Sequence, residues 1–539
     1  MFGDSIGMYT GSLEFLQTDA SLVGNNQLEV AIKRTVRMGD RPDGPGPRSG
    51  MWRLAIPNIH GVFAEDRGWV TSKGDDPGKR CSNYWWPFSE YIDGTGYSYP
   101  TTGKKLFFPE EFWFGVSLYL PGLGDEAVLR ADSYAGESVG WPRPTNGTSY
   151  PLRTKSGSVI SCTSLKDGGG EGFEVLTADG VSYRLDHMVS YPTRPLLKYV
   201  FMQNDSGTFR LQWVLNRAEY VLWVSSVRDR FGNTVTYDWD KTDPRKLNGI
   251  YSSDGRALEI SYTNGQIVQV RAGDRVWNYT GNRIVYPDNS YWEFPSMELY
   301  ANSYDEGSIP GKNSHCYTPG YPTTKHMHAV MRHPSGAVAT FDAAPTLHGR
   351  SKTTAACDMS YEPSASTWQE SSESYPATYY LWSLTSKSIS GPGVDTPLTW
   401  RYAYSSPNGC YATTDPSGKN NCSASSPTTK WVDVTDPDGT QTRYTYGNVY
   451  NVNEGQLLSI RGPDRLIEQS YGPAGSATYP LAAGIEVAPP RSMATFGTRM
   501  MPLRQKTVTQ DGTVFKWTVN AFDNMARPIS VTKSNAAAP

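Results

Sequence analysis

Short runs of alternating apolar and polar residues, each entered through a turn, recur along this chain of 539 residues. The unit is a Gly beside Asp, Asn or Ser, followed by an alternating run that ends in Tyr, Trp or Phe. Copies read Asp179-Gly180-Val181-Ser182-Tyr183, Gly232-Asn233-Thr234-Val235-Thr236-Tyr237 and Asp254-Gly255-Arg256-Ala257-Leu258-Glu259-Ile260-Ser261-Tyr262. Others are Asp288-Asn289-Ser290-Tyr291-Trp292, Asp438-Gly439-Thr440-Gln441-Thr442-Arg443-Tyr444 and Asp511-Gly512-Thr513-Val514-Phe515. Asp-Gly supplies the positive φ angles of a tight hairpin, and alternation turns every second side chain toward a core. A unit that cannot bury its own face must stack on its neighbours, so the pattern predicts a repeat protein.

The pattern divides the chain in two. Residues 1–200 form an N-terminal β-rich module that opens with a hairpin, its runs at 11–15 and 28–36 joined by Gly24-Asn25. The Pro/Gly-rich stretch 41–47 reads as a loop, and 112–120, the most apolar run, as a buried strand. Residues 201–539 are hairpin repeats, interrupted by a polar segment near 360–376. Sustained 3.6-residue periodicity is missing, so the predicted class is all-β: consecutive antiparallel hairpins in a long, curved or spiralling sheet with little helix.

Composition agrees. Aromatics make up 12%, Tyr alone counts 34, and 52 Gly and 38 Pro punctuate the whole length. A net charge of −3 without a Lys/Arg cluster argues against nucleic-acid binding. No run approaches the roughly 20 apolar residues of a membrane-spanning helix. Met1 is followed by polar residues and Asp4 rather than a signal peptide, so export would require a leader outside this sequence. Six cysteines fit either secreted disulfides or buried thiols. Cys410 and Cys422 flank a polar segment suited to a loop-closing disulfide.

Candidate chemistry is sparse. Gly136-Glu137-Ser138-Val139-Gly140 matches the nucleophile-elbow pattern, but Pro142 and Pro144 deny the helix that must follow. Four of the seven histidines fall between 315 and 333, and His326 and His328 share a strand face at a spacing that can hold a metal, although structural or surface roles suit them better. Glu110, Glu111 and Glu293 sit among aromatics, as glycosidase carboxylates do, yet alternation sets Glu293 opposite Trp292 and Phe294. Trp85, Trp86, Tyr97 and Tyr99 offer flat rings for a sugar ligand, or for a core. No cofactor motif is present and no residue reads as catalytic.

Together the repeats resemble the RHS/YD-repeat family. The resemblance rests on Gly232-Asn233-Thr234-Val235-Thr236-Tyr237-Asp238, the copies at 254–262 and 438–446, and a degenerate copy at 519–531. The opening, Tyr9-Thr10-Gly11-Ser12-Leu13-Glu14-Phe15 with Thr18-Asp19, Gly24-Asn25 and Arg34-Thr35-Val36, is similar to the module that precedes the repeats in such proteins. The resemblance implies a strip of sheet spiralling into a shell around a C-terminal toxin. The family's self-cleavage motif has no good match: Asp415-Pro416-Ser417-Gly418 is followed by Lys419, and Cys410 stands where a Pro leads in the family. No toxin-like segment follows 536–539. The expectation is the front part of a longer product, with too few repeats to close a shell.

The leading functional expectation is a non-enzymatic scaffold of an exported bacterial RHS-type protein, secreted or at the cell surface. Its partner would be a toxin or the remaining repeats. The alternatives are an extracellular polysaccharide-binding adhesin and a polysaccharide-degrading enzyme.

Overall fold

The predicted turns form, but with a geometry different from the tight Asp-Gly hairpin. A computed structural model describes residues 2–38, 44–70, 77–85, 92–93, 95–96, 106–107, 113, 115–131, 144–204, 207–294, 326–353, 357–362, 367–372, 377–412, 421–472, 479, 481–487 and 497–538. In the turn that begins at Ser252, Gly255 N donates to Ser252 O at 3.0 Å and Ser252 N donates to Arg256 O at 2.9 Å. The same two bonds close the turns at 177–181, 229–233, 286–290, 333–337, 436–440 and 523–527. In each, the fourth residue has the positive φ, from 90° at Gly232 to 65° at Asn289 and 59° at Ala526. This is a type I turn followed by one left-handed residue.

The Asp at the third position of the turns at 177–181, 252–256, 286–290 and 436–440 therefore keeps an ordinary φ and contributes its carboxylate instead. Asp438 Oδ1 accepts from Thr440 N at 2.9 Å, and Asp288 Oδ1 from Ser290 N at 3.0 Å. Pro287, Pro334 and Pro437 occupy the second position, where the ring's fixed φ suits a type I turn. Two consecutive positive φ values, the tight form, occur at Asn264-Gly265 and at Asp511-Gly512.

Between these turns the strands pair in sequence. Among the described residues they build one 31-stranded sheet, its strand pairs antiparallel, and it is not closed into a barrel. Alternation sends one face inward: Leu258 and Ile260 from Ala257–Thr263, Trp277 and Tyr279 from Arg275–Thr280, and Met327, Ala329 and Met331 from Met327–Arg332 are all buried. Among the described residues the helical content is 3-10 only, at Pro77–Lys79 and at Gly497. Strand Ser117–Leu120 buries Leu118 and Leu120, and Trp113 and Val116 before it are buried too.

The sheet runs without a break across residue 200, which lies inside the strand Ser182–Asn204. That strand pairs along its length with Gly207–Arg228. Asn58–Ala64, from the first part of the chain, fits between Gly207–Arg228 and Ser117–Leu120 and bonds to both. The polar segment near 360–376 also carries strand: Cys357–Glu362 pairs with Thr367–Ser372, whose first residues add to Val200–Met202. A further long-range pairing joins Leu129 and Arg130 to Glu486 and Ile485.

A second sheet of five strands is built from residues 4–54. Its centre is the expected hairpin, Ser12–Leu22 paired with Val30–Arg37. One hydrophobic core takes in Leu13, Phe15, Val30, Ile32 and Trp52 of this sheet together with Trp277, Trp292, Phe341 and Leu384 of the long one. Each such side chain contributes about 1.5–3 kcal/mol by leaving water. Trp277, Trp292, Phe341 and Leu384 come from four separate strands of the long sheet and all turn toward the same small sheet, so the strip curves around it.

Candidate functional site

The polar side chains that the fold brings together lie mostly where the strip meets the five-stranded sheet. The register of Ser12–Leu22 on Val30–Arg37 slips between Thr18 and Ala20, leaving Asp19 as the extra residue of a bulge. The slip buries Asp19 and Ala20 in succession and aims the carboxylate into the core. There Asp19 accepts two hydrogen bonds from Arg34, one from Nη2 at 2.8 Å and a shorter one from Nε, and a third from Tyr279 OH at 2.9 Å. The guanidinium lies 4.9 Å from the Trp52 ring and 4.5 Å from that of Phe294. Burial, then the neighbouring carboxylate, holds the Tyr279 hydroxyl well above its ordinary pKa, so it stays a donor.

A repeat turn makes the second junction. Arg256 Nη1 donates to Leu22 O at 3.0 Å and to Leu28 O at 3.1 Å, and Nη2 donates to Asn26 Oδ1 at 3.1 Å. Asp254 fixes Nε at 2.8 Å. Arg256 thus caps the Leu22-to-Leu28 hairpin end.

The third junction is a buried relay. The Lys430 ammonium, which can only donate, lies 3.0 Å from His348 Nδ1. The proton of the neutral imidazole is then on Nε2, which donates to Ser383 Oγ at 2.9 Å, and Ser383 donates to Thr10 O at 2.6 Å. Lys430 Nζ also sits 4.0 Å from the Tyr9 ring centre. Burial lowers Lys430 to about 8, and burial with the adjacent ammonium lowers His348 to about 3. A serine nucleophile requires a basic histidine. Here burial and the adjacent ammonium strip the histidine of basicity and Ser383 is fully buried, so the chain of donors latches the turn at Thr10. Asp4 pairs with Lys387 close by.

A fourth cluster joins strands within the long sheet. His60 Nδ1 is 2.9 Å from Glu219 and Nε2 is 3.2 Å from Asp125. Burial alone lowers the imidazole, but the two carboxylates outweigh it and raise His60 to about 9. The ring is an imidazolium at neutral pH and ties its strand to Gly207–Arg228 on one side and, across Ser117–Leu120, to Gly124–Ala127 on the other. The adjoining cavity holds about 20 Å³, space for one water and not for a sugar ring.

The residues singled out in the sequence lie elsewhere. Trp85 has the Arg130 guanidinium 4.8 Å above its ring. Trp86, Tyr97, Tyr99, Glu110, Glu111 and Ser138 lie outside the described residues. His326 and His328 are exposed, and His328 bonds Asp342 at 2.7 Å across its strand pair. Among the described residues, the group of three close ligand atoms that could suit a metal is Cys81, Cys162 and Glu171, and those two cysteines are joined to each other. Cys410 is bonded to Cys422. Glu293 is taken by Arg283 and Arg332, both at 3.1 Å.

The sequence marks Asp19 and Arg34 only as part of the opening module, not as a buried pair, and does not single out His60, His348 or Lys430. One signal was there: the apolar phase of Leu13 and Phe15 switches to that of Ala20 and Leu22, which marks the bulge.

No family model matches the chain, and no curated protein does. Among solved structures one match is a chain of a TcdB2-TccC3-Cdc42 complex, at 9% identity and a TM-score of 0.16. The alignment covers 98% of this chain and 23% of that one, so the present chain spans about a quarter of the matched length. A superposition of that quality carries no functional inference.

Proposed function

We propose that this chain is a non-enzymatic scaffold of RHS/YD-repeat type, part of an exported protein, whose strip of hairpins encloses and carries another segment or a toxin. The observation that carries the reading is the curvature of one continuous sheet around a second sheet of the same chain, held by junctions at Asp19, Leu22, Leu28 and Thr10. The ordered copies of one turn-and-aromatic unit support the family resemblance. Two disulfides fit an oxidising compartment. The polar clusters are spent on internal contacts, which favours a scaffold over a hydrolase.

Proteolysis of the intact chain tests enclosure. Trypsin should cut after Arg230, exposed in the turn at 229–233, long before it cuts after Arg34, which is 1% exposed. Cleavage at both sites at one rate would contradict enclosure. Release of reducing sugar from a polysaccharide, abolished by Glu219→Gln with the fold intact, would contradict the non-enzymatic reading.

A further inference from the structure

A cavity of about 960 Å³ opens between the tip of the N-terminal hairpin and the turns at 177–181 and 229–233. Its size is at the upper end of small-ligand sites, roughly 300–1,000 Å³. Tyr183, Tyr237 and Phe231 line it, and Phe231 is 77% exposed although it is a large aromatic on a turn. Neither tyrosine hydroxyl has a hydrogen-bond partner among the described residues, and burial raises the pKa of both, so each is a standing donor. The Gln27 side-chain amide also lines the space.

The charges in the wall are already occupied. Lys33 pairs with Glu29 at 2.6 Å, and Arg230 lies 4.8 Å from the Phe231 ring. The Asp229 carboxylate accepts from Phe231 N and Asn233 N, both at 2.9 Å. Three carboxylates, of Glu29, Asp179 and Asp229, face two cations, those of Lys33 and Arg230. A phosphate or polyanionic ligand would meet net negative charge and no free cation.

We propose that this cavity binds a neutral oligosaccharide, with the rings of Tyr183, Tyr237 and Phe231 against the apolar faces of the sugars and the free hydroxyls and amide bonding their hydroxyl groups. Aromatic faces beside unspent polar groups, without ionic anchors, are the chemistry that recognises an uncharged polyol. The site is distinct from Trp85 and is independent of whether the strip encloses anything.

Calorimetric titration of the full chain with cello-, malto- and chito-hexaose tests it, with a heparin hexasaccharide as the anionic probe. One neutral series should bind, and Phe231→Ala or the double variant Tyr183→Phe/Tyr237→Phe should weaken it about tenfold or more, the scale of one good contact. Phe515→Ala, exposed but remote from the cavity, should leave binding unchanged, and a thermal melt of each variant confirms folding. The proposal is overturned if none of the three neutral probes binds, if the heparin fragment binds instead, or if the cavity variants bind as the parent does.

Discussion

Gly439 shows how much one backbone angle carries. It adopts a φ of 87° at the fourth position of its turn, and a Cβ placed there would meet nothing within 4 Å. Gly439→Ala therefore isolates backbone strain, and it should cost about 1–2 kcal/mol. The loss is read as faster hydrogen exchange across 431–446, whereas an unchanged rate would mean the turn has another geometry. The titrating side chains give a second test at this scale. His60 is raised from 6.5 to about 9, so its contribution is complete below pH 6.5 and is lost as pH rises through 9. Lys430 is lowered from 10.5 to about 8; the unfolded chain binds more protons between those values, so this group adds stability as pH rises across them. His348, lowered to about 3, withdraws stability as pH falls from 6.5 toward 3. Melting temperatures of the parent and His60→Gln should differ most below pH 6.5 and converge as pH rises from 6.5 to 9, because the variant lacks the parent's alkaline decline there.

At the scale of the element, turn positions and inward-facing residues were legible because both depend on neighbours in sequence. Leu258, Ile260, Trp277 and Tyr279 follow the alternation that the strands require. Turn type was not legible, since Asp-Gly serves both a tight hairpin and a type I turn with a left-handed fourth residue. The junctions were hidden for another reason. Tyr279 and Asp19 are 260 residues apart, and nothing local marks them as partners. Because Asp19 and Arg34 are both buried, removing one alone leaves an uncompensated charge. Arg34→Leu should cost about 3–5 kcal/mol, and adding Asp19→Leu should recover part of that in a double-mutant cycle by thermal melting. Disulfides are a separate element. Cys410–Cys422 spans 12 residues and Cys81–Cys162 spans 81. In the chain-entropy account their loss costs about 3 and about 4.5 kcal/mol, so a reductant should lower the melting temperature, and Cys81→Ser/Cys162→Ser should lower it more than Cys410→Ser/Cys422→Ser.

For the whole molecule, the expectation of an all-β spiralling strip holds and gains content. The small N-terminal sheet sits inside the curve of the large one, and the two share a core. The strip's early and late parts meet where Leu129–Arg130 pairs with Ile485–Glu486, and Trp113 Nε1 donates to Val487 O at 3.2 Å nearby. This arrangement explains why so much polar chemistry is internal: Arg34, Arg256 and Lys430 are committed to holding one sheet within another. Hydrogen–deuterium exchange on the intact chain, comparing residues 12–37 with residues 247–285, tests the enclosure most directly. The two regions should exchange with similarly slow rates, and Arg256→Ala should speed exchange at the 22–30 hairpin end first. If 12–37 exchanges rapidly while 247–285 stays protected, the small sheet is not enclosed and the scaffold account fails.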